Sequence, residues 1–262
     1  MSDIIRSCKP GSEWTDNELE AYNIRLVNKS DIDEFFQTQF DSLDLTELPR
    51  GILTCEGVRL DVDLATYKFM RFLDLAMRPE EGQESAVDDF AAELLRIMQY
   101  ETVGRVVCMR KDIRLLMCGH RTHAKTDVCI IDTNDVLLLI QEDKSRFSTS
   151  NAIPQLVAEA IAAFQHNNFK RVYNDQLDPL NTFTFPCIIM VGSSPVFFKI
   201  PVSASLSKAV QHGTYPSEPT IIERFDPLFG LRRRSSGMEP IDNRTRVLKC
   251  FKAFKHFVVP FE

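Results

Sequence analysis

Between residues 84 and 98 the chain reads ESAVDDFAAELLRIM, with Val87, Ala91, Leu94 and Met98 three or four apart. That spacing is one face of an amphipathic helix packed on a core. Two short β-branched and apolar runs follow, TVGRVVCMR and DIRLLMCG, separated by Lys111, and they predict a hairpin. The stretch TDVCIIDTNDVLLLIQEDKS predicts another, with strands over 127–131 and 135–143 and a turn at Thr133 and Asn134. In NAIPQLVAEAIAAFQHNN, Asn151 stands as an N-cap, Pro154 falls in the first turn, and an Ala-rich helix runs to a stop at Asn167 and Asn168. TFPCIIMVG, VFFKI and PTIIERF have the composition of buried strands, and DNRTRVLKCFKAFKHF that of a last helix with basic and aromatic faces.

Upstream, SDIDEFFQTQF predicts a helix capped by Ser30, and DLATYKFMRFLDLAM has apolar residues at helical spacing. Pro79 and Gly82 in RPEEGQ, at 78–83, mark the best internal boundary. The expected organisation is therefore an acidic helical or mixed segment over 1–80 and a larger domain over 81–262. In the latter, helix, three or four strands, helix and strand follow one another. That order implies an α/β or α+β fold with a mixed central sheet.

Composition narrows the function classes. With 262 residues and 44% hydrophobic content, the chain can bury a large core without covalent staples. Its seven cysteines are odd in number, scattered and never in a C-x-x-C pair, which argues against a disulfide framework or zinc knuckle. MSDIIRSCKPGSEW resembles neither a signal nor a transit peptide, and no run approaches the ~20 apolar residues of a membrane span. The expectation is an intracellular protein, cytoplasmic or nuclear, without a membrane partner. Net charge is −6, yet residues 1–100 carry 21 acids against 10 bases and residues 101–262 carry 16 against 21. LRRR at 231–234 and RTRVLKCFKAFKHF from 244 concentrate positive charge, either as a docking surface for a polyanion or as an ordinary solvated helix face.

The ends of the apolar 127–143 hairpin carry the chemistry. Side chains alternate along a strand, so Glu142 and Lys144 share a face, and a tight turn brings Asp127 beside Glu142. Two carboxylates at the end of an apolar sheet are costly to desolvate unless they bind something. A hard divalent cation, Mg²⁺ or alternatively Mn²⁺, accepts such a set together with a backbone carbonyl and waters. An amine beside it can stabilise hydroxide and the charge developing on phosphorus, a combination suited to phosphodiester hydrolysis.

Asp127 followed across a hairpin by Glu142-x-Lys144, with an acid-bearing helix before and the helix from 151 after, resembles the PD-(D/E)XK nuclease superfamily and its restriction-endonuclease-like core. The pattern TDVCIID, LLIQEDKS, PQLVAEAIAAF is also similar to uncharacterised fungal proteins of that fold. The resemblance covers roughly 84–200. It implies Asp127 and Glu142 as metal ligands, the Asp143 carbonyl as a further ligand, Lys144 as the water-activating cation and Glu84 as an auxiliary acid. Gln155 resembles the first residue of the Gln-x-x-x-Tyr motif that orients the scissile phosphate, but Glu159 stands where that motif has tyrosine, and Thr126 replaces the proline before the first acid. The implied activity is a Mg²⁺-dependent nuclease acting on nucleic acid, DNA before RNA. The alternative is a binding or regulatory module that keeps the scaffold without turnover.

Other polar residues have structural readings. His120 and His123, with Arg121 and Lys125, are expected in a loop at the mouth of the site, since Cys118 alone does not complete a zinc set. Glu93, Asp88 and Asp89 are expected to be solvated helix charges, and Asp132 and Asp135 to serve the turn. Ser193 and Ser194 lack a nucleophile elbow, and no glycine-rich phosphate loop exists.

Overall fold

The computed structural model describes residues 6–78, 85–133, 135–142, 152–231 and 234–261. Glu84, Asn134, Asp143, Lys144 and Asn151 lie outside the described residues, as does most of the 78–83 boundary. The elements in chain order are α1 (Asp16–Ala21), β1 (Ile24–Asn28), α2 (Ile32–Phe36), α3 (Arg50–Thr54), α4 (Leu64–Met77), α5 (Ala86–Ile97), β2 (Arg105–Met117), β3 (His120–Asp132), β4 (Asp135–Glu142), α6 (Ala152–Tyr173), β5 (Thr182–Val191), β6 (Ser194–Ser203), α7 (Ala204–His212), β7 (Thr220–Phe225) and α8 (Ile241–Phe254). They build a seven-stranded mixed sheet, ordered β1-β7-β6-β5-β4-β3-β2 and flanked by helices, so the α/β class expected from the sequence is the one observed. The β1–β7 and β4–β5 pairs are parallel and the rest antiparallel.

Four local expectations are corrected. The runs on either side of Lys111 form one strand, β2, and its partner is β3. The turn falls instead at Cys118 and Gly119, both with positive φ (50° and 76°), the backbone of a two-residue hairpin loop. His120 and His123 therefore sit on β3 and not in a loop. The cap of α2 is Asp31, whose carboxylate accepts the Glu34 N–H at 2.9 Å, one residue after the expected Ser30. Helix α6 does not stop at Asn167 and Asn168 but continues to Tyr173.

Asn167 shows why a helix breaker by composition can lie inside a helix. Its buried amide donates to the Val136 carbonyl at 2.8 Å and accepts the Val136 N–H at 3.0 Å. Strand β4 meets parallel β5 only from Leu139 onward, so the side chain of α6 satisfies backbone groups that the ladder leaves unpaired.

The residues before α4 share the core of the sheet. Phe35 stacks on Phe225 with ring centroids 5.2 Å apart, and Phe36 meets Phe197 edge-on at 5.5 Å. Arg244 of α8, fully buried, donates to the carbonyls of Ile52, Cys55, Met238 and Glu239, pinning α8 to α3. Other cations of the basic C-terminal stretch are engaged internally too: Lys252 reaches Asp44 and Glu47, and Arg246 the Pro227 carbonyl. Among the described residues no helix is long and apolar enough to cross a membrane.

Replacing Asn167 with Leu should leave the Val136 N–H and C=O buried and unpaired. A loss of about 1–3 kcal/mol per orphaned group is expected, read as a lower midpoint in urea unfolding with an unchanged slope.

Candidate metal centre

The polar end of the β3–β4 ladder depends on a register shift. From Asp132↔Asp135 and Ile131↔Val136 the pairing moves to Ile130↔Leu138 and on to Val128↔Ile140, so β4 carries one extra residue. Continued to Asp127, this register sets Gln141 across from it. Without the insertion Ile140 would stand there. The Asp127 carboxylate Oδ2 accepts the Gln141 side-chain amide at 2.7 Å and the Glu142 backbone N–H at 2.9 Å. Two N–H donors on one oxygen fix the rotation of the carboxylate.

Consecutive residues of β3 face opposite ways. Thr126 is directed toward Glu159 on α6, and Asp127 toward Asp88 on α5. Asp88, Asp127 and Glu142 each offer a carboxylate oxygen, and these oxygens lie within 4.8 Å of one another. Asp127 and Glu142, the two ligands expected from the sequence, are thus brought together, and among the described residues the acid that joins them from the preceding helix is Asp88. The expectation that Asp88 and Glu93 are solvated is corrected. Asp88 is 5% and Glu93 7% exposed, the latter 3.8 Å from Lys68 and 4.0 Å from Arg96. Helix α5 is packed between the sheet and α4, so nearly all of its girth is covered, not just the stripe of Val87, Ala91, Leu94 and Met98. Asp88 lies four residues, about one helical turn, after Glu84, a spacing that could have flagged it.

Burial pushes the Asp88 carboxyl up to about 7, the Asp127 and Glu142 charges push in the same direction, and the Arg110 guanidinium opposes them. Such a group gives up its proton readily once positive charge arrives. Three converging carboxylates of this kind form a site that can hold a metal ion.

Beneath the cluster runs a chain of buried amides. The Gln155 amide donates to Gln141 Oε1 at 3.0 Å and to Glu159 Oε1 at 3.2 Å, so its side chain is turned inward under Asp127. Glu159 is fully buried, and burial, followed by the Asp127 charge, drives its carboxyl well above the ordinary range. Hydrogen bonds from the Gln155 amide and, after it, the Thr126 hydroxyl partly counter that shift. Because Asp127 can only accept, the Gln141 NH₂ must face it, and the Gln141 oxygen must then face the Gln155 NH₂. Gln141 and Glu159 had no functional expectation attached to them. Their sequence signal is a polar residue beside or inside an apolar run, VLLLIQ in β4 and LVAEAIAAF in α6.

Elsewhere, Ser193 is buried in the β5–β6 turn, where it accepts the Met238 N–H at 2.9 Å. All seven cysteines are free, and four of them are buried. Comparison with protein-family models and with curated proteins produced no match to this chain.

The Asp88 shift carries a sign. Between the ordinary value of 3.8 and about 7 the native state binds more protons than the unfolded chain, so Asp88 lowers metal-free stability as pH rises through that window. In EDTA, wild type should lose stability from pH 4 to pH 7 relative to Asp88→Asn, as measured by urea unfolding at each pH. Equal slopes for the two proteins would contradict the assignment.

Proposed function

We propose that this chain hydrolyses phosphodiester bonds of nucleic acid with a divalent cation, Mg²⁺ or Mn²⁺, held by Asp127, Glu142 and Asp88, as a nuclease of the PD-(D/E)XK type. The observation that carries this reading is the convergence of three carboxylates from β3, β4 and α5 at the end of an apolar sheet. Such a set is repulsive on its own and becomes favourable with a dication. Bound there, the cation would supply Lewis acidity and neutralise charge on the phosphoryl oxygens.

The remaining roles belong to the chain. Asp127 is oriented through one oxygen by Gln141 and the Glu142 backbone. Asp88 releases its proton as it joins the set. In this reading Lys144 places an ammonium beside the attacking water, and the Asp143 carbonyl completes the ligands. Asp88 supplies a helix acid in this reading, beside the auxiliary role that the resemblance gives to Glu84. Gln155 acts from below, through Gln141. Water attacks phosphorus, the P–O bond to the leaving sugar breaks, and the products are a phosphomonoester and an alcohol.

Purified protein should cleave DNA or RNA oligonucleotides in Mg²⁺ and not in EDTA. Asp127→Asn, Glu142→Gln and Lys144→Ala should each lower the rate by about 10²-fold or more without lowering the unfolding midpoint. Rates equal to that of wild type in all three variants would defeat the proposal. A wild type that is inert and binds no divalent cation by calorimetry would favour the module without turnover.

A further inference from the structure

The cations of α8 are occupied by internal contacts, whereas on the β2–β3 ribbon, among the described residues, only Arg105 at the end away from the turn forms a salt bridge, to Asp132. Along β3, Ala124 and Thr126 are buried while Arg121, His123 and Lys125 are exposed. Alternation therefore puts these three on the same face as Asp127. Across the ribbon, Arg114 pairs with His123, Leu116 with Arg121 and Asp112 with Lys125, so Arg114 joins that face and Asp112 is its one acid before Asp127. Arg110 falls between the pairs Met109↔Val128 and Lys111↔Thr126, opposite Asp127, with a left-handed φ of 52°, and its charge is felt at Asp88. Among the described residues, the salt bridges include none from Arg110, Arg114, Arg121 or Lys125. The ribbon tip is held in place, because Cys118 N–H donates to Val210 O at 2.9 Å and Gly119 N–H to Gln211 O at 2.7 Å.

We propose that this face is a nucleic-acid track leading into the Asp88–Asp127–Glu142 cluster. Arg121, Arg114 and Lys125 contact backbone phosphates in that order along the strand, and Arg110 meets the phosphate nearest the acids. Same-face strand residues lie ~7 Å apart, so Arg121 to Asp127 spans roughly 20 Å, about six steps of a duplex strand at ~3.4 Å each. A linear row of unpaired cations ending at an acid cluster fits a linear polyanion whose next phosphodiester would lie over that cluster. Between Arg121 and Asp127 this face offers Leu116 alone as an apolar side chain, too little to insert into a lipid surface. The inference rests on the phosphodiester reading for its direction toward the cluster, while the phosphate contacts themselves need no catalysis.

The test is binding of fluorescein-labelled 20-mers, single- and double-stranded, DNA and RNA, by anisotropy in EDTA between 50 and 200 mM salt. Arg121→Gln, Lys125→Gln and Arg114→Gln should each weaken binding and lower the slope of log affinity against log salt by about 0.7–0.9. Lys208→Gln, an exposed lysine on α7, should change neither. Unaltered slopes in all three ribbon variants, no binding by wild type, or tighter binding to phosphatidylserine vesicles than to any oligonucleotide would overturn the track. Hydrolysis of bis(p-nitrophenyl) phosphate with Mn²⁺ separates the two claims, because so small a diester cannot reach Arg121. Its turnover without a ribbon effect keeps the cluster and removes the track. A ribbon effect without turnover keeps the track and removes the nuclease.

Discussion

A single carboxylate oxygen, Asp127 Oδ2, accepts the Glu142 backbone N–H and the Gln141 side-chain amide, and the arrangement of the site depends on it. The bond to Glu142 extends the β3–β4 pairing past its last apolar residues, where water would otherwise compete for the strand ends. The bond to Gln141 ties the same carboxylate to α6 through Gln155 and Glu159. Asp127 is thereby held by three elements before any ligand arrives, so little ordering remains to be done when one binds. Burial raises the Glu159 carboxyl at the far end of the chain, and a charged form there would repel Asp127 through a medium of low dielectric.

Charge in this molecule is sorted by location. Acids of the N-terminal segment meet bases of the C-terminal helix, as Asp44 and Glu47 meet Lys252, and such pairs at a solvated surface add little stability. Their effect is to neutralise both stretches, whereas Arg114, Arg121 and Lys125 on the β2–β3 ribbon are exposed bases that enter no salt bridge among the described residues. Net charge alone, at −6, hides that local sign.

Much of this was legible in the sequence, and the failures have definite causes. Apolar periodicity located α4, α5, β4 and α6, and the polar ends of the 127–143 hairpin pointed to Asp127 and Glu142. Periodicity could not tell a break in a hydrophobic run from a turn, so a kink at Arg110 within one long strand resembled a hairpin around Lys111. Propensity misplaced the end of α6 because Asn167 is held by tertiary hydrogen bonds to Val136 that no local rule contains. Asp88 was assigned to solvent because a one-sided stripe was assumed for α5. Burial of a helix by two layers at once depends on contacts from distant segments, here α4 and the sheet.

The parallel pairing of β1 with β7 places the start of the chain at the margin of the sheet built by its later part. A shortened protein beginning after residue 80 would uncover Ile222 and Phe225, both buried in the intact fold, together with a row of unpaired backbone donors and acceptors. Such a margin recruits other copies of itself, so trimming the acidic segment to isolate the acid cluster would trade a monodisperse sample for self-association.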